Sequence, residues 1–411
     1  MLNLDYFKVH KALKYRYLLL MLAFPACIWA QTRDTITVFS PDSAIFVRTK
    51  GNLTYLNYGL GDDRLGGAKL GFLDSLVLLR ATGAYKDLYR VRLTANLTAW
   101  IAKGQTQRDS ITRPPVQYLT GSWRTWGEAP FDYLSIQLPE RLPYQMRQEV
   151  NPSRVVIDLF GATANTNWIT QMQSSEEIQL VDYEQVADEQ LRLTIYLKHH
   201  QHWGSAVYYQ GKRLVLKVKQ QPKKLKLKYL TVAIDAGHGG SNLGARGLRS
   251  QQLEKDFNLS IAQHLRRYLE KKGATVIMTR SQDTLVGNND RLLKLRPAPP
   301  DLLVSIHNNA AADTVKVRGT STYYKHLVYR PLSQAILKRL LNLGLTEYGN
   351  IGRFNFTLNA PTDYPNVLVE GLFLSHPADE ALILEDNFRR KMAKKISQGI
   401  RDWLNATKRA K

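Results

Sequence analysis

The pattern of apolar residues changes near Tyr229, and this change constrains the fold more than any other feature. Upstream, short apolar runs are separated by Gly and Asp clusters, a pattern typical of β-strands and turns. Downstream, short apolar runs alternate with longer amphipathic stretches, which indicates parallel strands joined by helical crossovers. The 411 residues are enough for two or three domains. We therefore predict N-terminal all-β modules followed by a C-terminal α/β domain with a mostly parallel sheet flanked by helices.

Two β modules are predicted before the change. The first is a small β domain at residues 34–110, whose order of glycines and short strands resembles a bacterial Src-homology-3-like barrel. The second, at residues 125–220, contains several stretches that alternate apolar and polar residues, as half-buried strands do. Three histidines lie between two of these stretches, and we expect a solvated hairpin loop there rather than a metal site: His199, His200 and His202. Residues 221–228 read as a basic linker.

The net charge of +22 favours a polyanionic partner, which is a nucleic acid, an anionic wall polymer or a membrane surface. The N-terminus narrows this choice. Basic residues precede an apolar run at 17–24 and small residues that end at Ala30, which predicts a signal peptide at 1–30. The alternative is an uncleaved anchor. Export to the periplasm or cell envelope argues against a nucleic-acid role, and the processed chain is expected to have no integral membrane span.

The single cysteine, Cys27, lies inside the predicted signal peptide. Lipid attachment there is an open alternative. If cleavage follows Ala30, the mature chain has no cysteine, so any metal must be bound by His, Asp and Glu side chains.

In the C-terminal region, strands are predicted at 230–235, 274–280, 301–307, 319–324 and 366–374, and a helix at 253–272. Functional side chains collect at the carboxyl ends of parallel strands. His238 and His307 follow two such strands, Glu370 interrupts an apolar run, and Glu254 begins the helix. Two histidines, one carboxylate and a water form a typical catalytic zinc site, and a second carboxylate can transfer protons. The alternatives are structural: Glu254 as a charge at a helix N-terminus, and Glu370 in an ion pair.

Four motifs occur in this region in order: 232–240 (VAIDAGHGG), 253–259 (LEKDFNL), 305–309 (SIHNN) and 367–375 (VLVEGLFLS). With them, residues 230–405 resemble the zinc-dependent N-acetylmuramoyl-L-alanine amidases, a family of cell-wall hydrolases. The resemblance implies that His238, Glu254 and His307 bind one Zn2+ ion and that Glu370 is catalytic. It also implies that residues 229–411 are the catalytic domain, that Arg291 is structural and that residues 125–220 are a wall-targeting β-sandwich.

The sequence departs from the family pattern at four positions, none of them a predicted ligand or base: Ala236, Asn242, Asn308 and His376. His376 is a rival metal ligand. Some family members carry a helical insertion that blocks the site. The chain between His307 and Gly319 is short, so we predict no such plug.

The expected function is that of an exported zinc hydrolase, which cleaves the amide between N-acetylmuramic acid and L-alanine in peptidoglycan during wall remodelling or daughter-cell separation. Peptidoglycan is the expected partner, and the N-terminal β modules are where divisome or envelope proteins would dock. The alternatives are a zinc peptidase that acts on the stem peptide and a non-catalytic wall-binding scaffold.

Overall fold

A computed structural model describes residues 35–40, 43–51, 53–61, 67–111 and 118–410. The predicted signal peptide at 1–30, with Cys27, lies outside these residues. From Ile36 onward the chain forms one compact unit. None of the helices in the described ranges combines the length and the apolar character that crossing a bilayer requires.

The first eight strands form an antiparallel sheet in the order β4-β3-β7-β6-β5-β2-β8, with β1 paired to β5. Their bounds are β1 Thr37–Val38, β2 Ile45–Thr49, β3 Thr54–Asn57, β4 Lys69–Leu73, β5 Leu78–Tyr85, β6 Leu88–Arg92, β7 Thr98–Ala102 and β8 Thr106–Arg108.

The next eleven strands are β9 Tyr118–Leu119, β10 Trp123–Glu128, β11 Phe131–Ile136, β12 Tyr144–Val150, β13 Ser153–Phe160, β14 Ala162–Thr163, β15 Ile169–Gln171, β16 Ile178–Ala187, β17 Gln190–Leu197, β18 Ser205–Gln210 and β19 Arg213–Lys219. They form a five-stranded sheet (β15-β10-β11-β19-β18), a four-stranded sheet (β12-β13-β17-β16) and the pair β14-β9. The alternation read from the sequence is seen directly in β17, where every second side chain is buried. These side chains and those of the first sheet belong to one continuous apolar core.

The C-terminal part is an α/β sheet with helices. Its strands are β20 Thr231–Ala236, β21 Thr275–Met278, β22 Leu302–Asn309, β23 Thr320–Tyr323, β24 Glu347–Ile351 and β25 Asn366–Phe373, and its helices are α1 Glu254–Lys271, α2 Asn288–Leu295, α3 Arg330–Leu341, α4 Pro377–Leu384 and α5 Asp386–Arg409. The strand order is β21-β20-β22-β25-β23-β24.

The sheet is mixed. Strands β21, β20, β22 and β25 are parallel, and β23 is antiparallel to β25 but parallel to β24. The five predicted strands lie within one to two residues of observed ones, whereas the edge strand β24 was not predicted. Strand–helix alternation predicts crossovers, but it does not reveal that β23 enters the sheet in the opposite direction.

Alternate residues of the central strands pack on opposite layers. Val232 and Ile234 of β20 contact the layer of α1, α3 and α5, while Ala233 contacts a smaller cluster that includes Leu292 and Leu295 of α2. Burial on both faces keeps β20 and β22 rigid, so the loops at their carboxyl ends start from fixed points.

The histidine-containing segment before β18 is not a solvated hairpin loop, so this prediction was wrong for His202. His202 is 3% exposed and its Nε2 lies 3.1 Å from Ser153 Oγ. The neighbouring Trp203 packs its ring 5.2 Å from that of Trp403 in α5. The polar side chains suggested a solvated loop, but the packing of Trp203 against Trp403 of α5 buries the end of the segment that contains His202.

Candidate metal centre

His238 lies two residues beyond β20 in a strained backbone conformation, with φ of +60°. Two buried arginines hold the backbone there. Arg280 donates from Nε to Ala236 O at 2.8 Å and from Nη2 to Gly237 O at 2.9 Å. Arg291 donates from Nη2 to His238 O at 2.6 Å. These hydrogen bonds fix the direction of the imidazole, and those of Arg291 agree with the structural role predicted for it.

Arg291 is itself held by Asp235, the last but one residue of β20. The two side chains form an ion pair of 2.6 Å and are 3% and 1% exposed. Ser305 and Thr279 also donate to this carboxylate, at 2.5 Å and 2.6 Å. Burial alone would raise the pKa of Asp235, but the Arg291 charge and these hydrogen bonds outweigh it and lower the pKa. Asp235 therefore stays ionised beneath the His238 loop.

Three predicted ligands, His238, Glu254 and His307, meet at this loop. Glu254 Oε2 lies 3.1 Å from His238 Nε2, and Glu254 Oε1 lies 3.1 Å from His307 Nδ1. One ligand atom from each residue lies within 4.8 Å of the other two. Bonds of 2.0–2.1 Å at tetrahedral angles place ligand atoms about 3.3 Å apart. The donor set and its spacing therefore fit a zinc ion.

Neighbouring polar groups fix the orientation of His238 and Glu254. Asn242 Oδ1 lies 2.8 Å from His238 Nδ1, where it can accept a ring proton, and with the proton on Nδ1 the Nε2 lone pair is free to bind a metal ion. Glu254 accepts hydrogen bonds from Asn258 Nδ2 at 3.0 Å and from the backbone N–H groups of Asn308 and Ala245. The carboxylate is thus held rigidly, although it stands at the beginning of a helix.

Two glycines permit this close approach. A Cβ atom at Gly237 would lie 2.2 Å from His307 Cε1, and one at Gly244 would lie 2.5 Å from Glu254 Oε2. Gly244 also has a φ of +68°, which other residues rarely adopt. Any side chain at either position would displace a predicted ligand.

The charges of the three groups support one another. Burial raises the pKa of Glu254, but hydrogen bonds and charge from His238 and His307 hold it far below its usual range. Burial lowers the pKa of His238, whereas the hydrogen bond and the charge of Glu254 raise it above its usual value. A carboxylate that remains ionised beside two imidazoles is what a divalent cation requires.

Glu370 lies on the strand next to His307. In the parallel pairing of β22 with β25, it is the residue paired with His307, and it is 7% exposed. Paired residues on adjacent strands project to the same face of a sheet. The ring of Phe356 lies parallel to that of His307, with the ring centres 6.5 Å apart. The centre is therefore flanked by a carboxyl group and an aromatic wall.

The structure does not bring His376 into the metal-competent group, which among the described residues contains only His238, Glu254 and His307. His376 caps α4 instead, and its Nδ1 accepts a hydrogen bond from Ala378 N at 3.2 Å. The segment between β22 and β23 contains only turns and bends.

Sequence reasoning missed three residues that support the centre: Asp235, Asn258 and Asn308. Asn308 Nδ2 donates to Asn258 Oδ1 at 2.9 Å, and Leu372 N donates to Asn308 Oδ1 at 3.1 Å. The sequence did contain a sign that Asp235 is important, because an acid at the end of an apolar strand is costly to bury unless it is paired. The sequence did not show that its partner would be Arg291.

Comparison with known proteins gives matches in both halves. Residues 232–402 match the N-acetylmuramoyl-L-alanine amidase family, and residues 122–224 match the AMIN domain. The probable cell wall amidase LytH of Staphylococcus aureus is 34% identical over 177 residues, which cover 43% of this chain and 59% of that protein. The match thus spans less than two thirds of the length of this curated relative.

Solved structures are also similar to the C-terminal part. The catalytic domain of CwlV, an N-acetylmuramoyl-L-alanine amidase from Bacillus (Paenibacillus) polymyxa var. colistinus, is 32% identical, with a TM-score of 0.41 over 43% of this chain and 98% of that one. An N-acetylmuramoyl-L-alanine amidase from Clostridium difficile 630 is 31% identical, with a TM-score of 0.41 over 43% and 97%. Through residues 232–402, the chain belongs to the N-acetylmuramoyl-L-alanine amidase family.

Proposed function

We propose that this protein hydrolyses the amide that joins the lactyl group of N-acetylmuramic acid to L-alanine in peptidoglycan. The observation that carries the proposal is the convergence of His238, Glu254 and His307 within 4.8 Å, on the domain that belongs to the amidase family. His238, Glu254 and His307 would hold one zinc ion. Zinc in such a site acts as a Lewis acid and lowers the pKa of a bound water to about 7.

Glu370 is the proposed proton carrier. Its carboxylate takes a proton from the attacking water and passes it to the nitrogen of the departing L-alanine. The position of Glu370 supports this role, because it is paired with His307 and lies beside the centre without being one of the three grouped donors. The ring of Phe356 lies parallel to that of His307 and adds an apolar surface next to this proposed ligand.

The N-terminal β modules, at 34–110 and 125–220, are proposed to hold the enzyme on the wall. The AMIN match at 122–224 supports wall binding, and the net charge of +22 favours an anionic surface. We further propose export to the periplasm by residues 1–30 and docking of divisome or envelope proteins on these modules.

The test is mass spectrometry of purified sacculi after digestion by the full chain, with and without a zinc chelator. The expected products are glycan strands without peptides and complete stem peptides with a free L-alanine N-terminus. A chelator should abolish their release and added zinc should restore it. Shortened stems on substituted glycan would indicate a peptidase instead, and binding without any product would indicate a scaffold.

The matched variants are Glu370→Gln and Glu347→Gln, since Glu347 is an exposed acid in the same sheet. Glu370→Gln should bind zinc in the wild-type ratio and lose about 10²–10⁴-fold in turnover, the contribution typical of a general base. Glu347→Gln should retain the wild-type rate. A Glu370→Gln enzyme with normal turnover would remove Glu370 from the mechanism.

A further inference from the structure

A cavity of about 120 Å³ lies where three parts of the chain meet. Strand β4 of the first sheet lines one side, Tyr144 and Met146 of β12 line another, and residues 360–364 with Lys325 of the α/β part close it. A cavity of this size admits several water molecules or one small polar group. It is not part of the candidate metal centre.

Two half-buried lysines from different sheets line this cavity, Lys69 at the start of β4 and Lys325 after β23. Among the residues that the structure describes, neither forms an ion pair. Lys325 Nζ donates to Asn355 Oδ1 at 3.3 Å, and Lys69 Nζ lies 4.9 Å from the centre of the Tyr55 ring. Lysines seldom lose solvent without an anionic partner, so the pair calls for an anion.

The pKa shifts of the two lysines agree with the need for an anion in this cavity. Burial and, to a smaller extent, the charge of Lys69 together lower the pKa of Lys325 to about 8. Burial also lowers the pKa of Lys69. Two ammonium groups that disfavour each other in a recess are stabilised by a negative charge between them.

One carboxyl group, that of Asp363, also lines the cavity. Burial raises the pKa of Asp363 above its usual value, although the charges of Arg296 and Lys217 act in the opposite direction. The causes of the pKa shift of Lys325 are burial and the charge of Lys69. Asp363 forms an ion pair with neither lysine among the residues that the structure describes.

A short path connects the lysines to the metal centre. Asn355, which accepts from Lys325, is followed by Phe356, whose ring stacks on His307. The same Asn355 donates from Nδ2 to Gly67 O at 3.0 Å, so the first sheet contacts the loop that carries the aromatic wall. Two adjacent residues of one loop thus contact His307 and Lys325.

We propose that Lys69 and Lys325 together bind a carboxylate of the peptidoglycan stem peptide, so that the N-terminal sheet completes the substrate site of the α/β domain. This inference rests on the proposed function. The leaving stem peptide carries carboxylates beyond its L-alanine, and two ammonium groups provide the charge-assisted hydrogen bonds that recognise one. The N-terminal sheet then contributes to substrate affinity and not only to wall attachment.

The experiment is calorimetric titration of the zinc-loaded full chain with a free stem peptide and with the same peptide amidated at its carboxylates. The wild type should bind the free-acid peptide about tenfold or more tightly, the value of a hydrogen bond to a charged group. Lys69→Gln and Lys325→Gln should each remove most of this preference. Lys391→Gln, which removes a charge from the exposed face of α5, should keep it.

Thermal unfolding of Lys325→Met distinguishes a purely structural role of Lys325 from a role in binding a carboxylate. Because burial disfavours the ammonium group, the methionine variant should unfold at or above the wild-type Tm while losing the preference for the free acid. A lower Tm with the preference intact would overturn the inference. Hydrolysis of sacculi distinguishes the two failures: active enzyme without lysine-dependent preference refutes this inference alone, whereas inactive enzyme refutes the proposed function.

Discussion

Two buried carboxylates lie on either side of the His238 loop, and their partners differ. Asp235 is paired with Arg291, whose guanidinium group is not a metal ligand. Glu254 is paired with two imidazoles, His238 and His307, a type of side chain that commonly binds metal ions. Both carboxylates are held ionised by their surroundings, with pKa values below the usual range.

This difference separates a structural carboxylate from one that can bind metal. A metal ion does not replace an arginine in an ion pair, so the Asp235–Arg291 pair is permanent and stabilises the His238 loop. A histidine that loses its proton exposes a lone pair, so the Glu254 group can exchange protons for a metal ion. The residue that pairs with a buried carboxylate therefore tells more about the role of the carboxylate than its degree of burial does.

The largest effect is expected for Asp235→Ala. Arg291 is 2% exposed, and without Asp235 its charge is buried and unpaired, which costs about 3–5 kcal/mol in the free energy of unfolding. Urea unfolding of the metal-free protein measures this loss.

Asp402→Ala is the matched control. Asp402 pairs with Arg339 at the surface, with side chains about one third exposed, so removal should cost about 0–1 kcal/mol. Equal stability of the two variants would contradict the structural role of Asp235.

A smaller and different effect is expected for Glu254→Gln. The amide keeps the shape and one acceptor oxygen but loses the charge, so zinc affinity should fall by more than about 100-fold, beyond the loss typical of residues outside the ligand set. The free energy of unfolding of the metal-free protein should change by only about 1–2 kcal/mol.

Competition with a zinc-binding dye measures the affinity of this variant. Asp256→Asn, which removes an exposed charge from the same helical turn, is expected to bind zinc as the wild type does. If Glu254→Gln bound zinc as tightly as the wild type, Glu254 would not be a metal ligand, and its proposed difference from Asp235 would be wrong.

The sequence was sufficient to predict that His238, Glu254 and His307 lie together, because each is tied to the end of a strand or the start of a helix. His238 and His307 follow β20 and β22, which are adjacent and parallel, so their carboxyl ends meet. Local periodicity determines these elements, and sheet geometry then brings the side chains together.

Other features depend on contacts that no local pattern encodes. The antiparallel entry of β23, the burial of His202 and the shared core of the N-terminal sheets arise from which surfaces meet in three dimensions. The presence of Lys69 and Lys325 in one cavity is of the same kind, since Lys69 belongs to the first sheet and Lys325 follows a strand of the α/β sheet.

The smallest effect concerns Asn242, where the sequence departs from the aspartate common in the family. Asn242 Oδ1 accepts from His238 Nδ1, so it sets the tautomer in which Nε2 is free to bind a metal ion.

Asn242→Ala should lower zinc affinity by about 10–100-fold, as is typical for a residue that orients a ligand. Asn242→Asp keeps the acceptor and adds negative charge, so its affinity should equal or exceed that of the wild type. Because Asn242 forms this hydrogen bond with His238 and not with Asp235, the stability of both metal-free variants should stay close to that of the wild type. A loss of stability in Asn242→Ala without a loss of zinc affinity would place Asn242 with the structural residues of the loop.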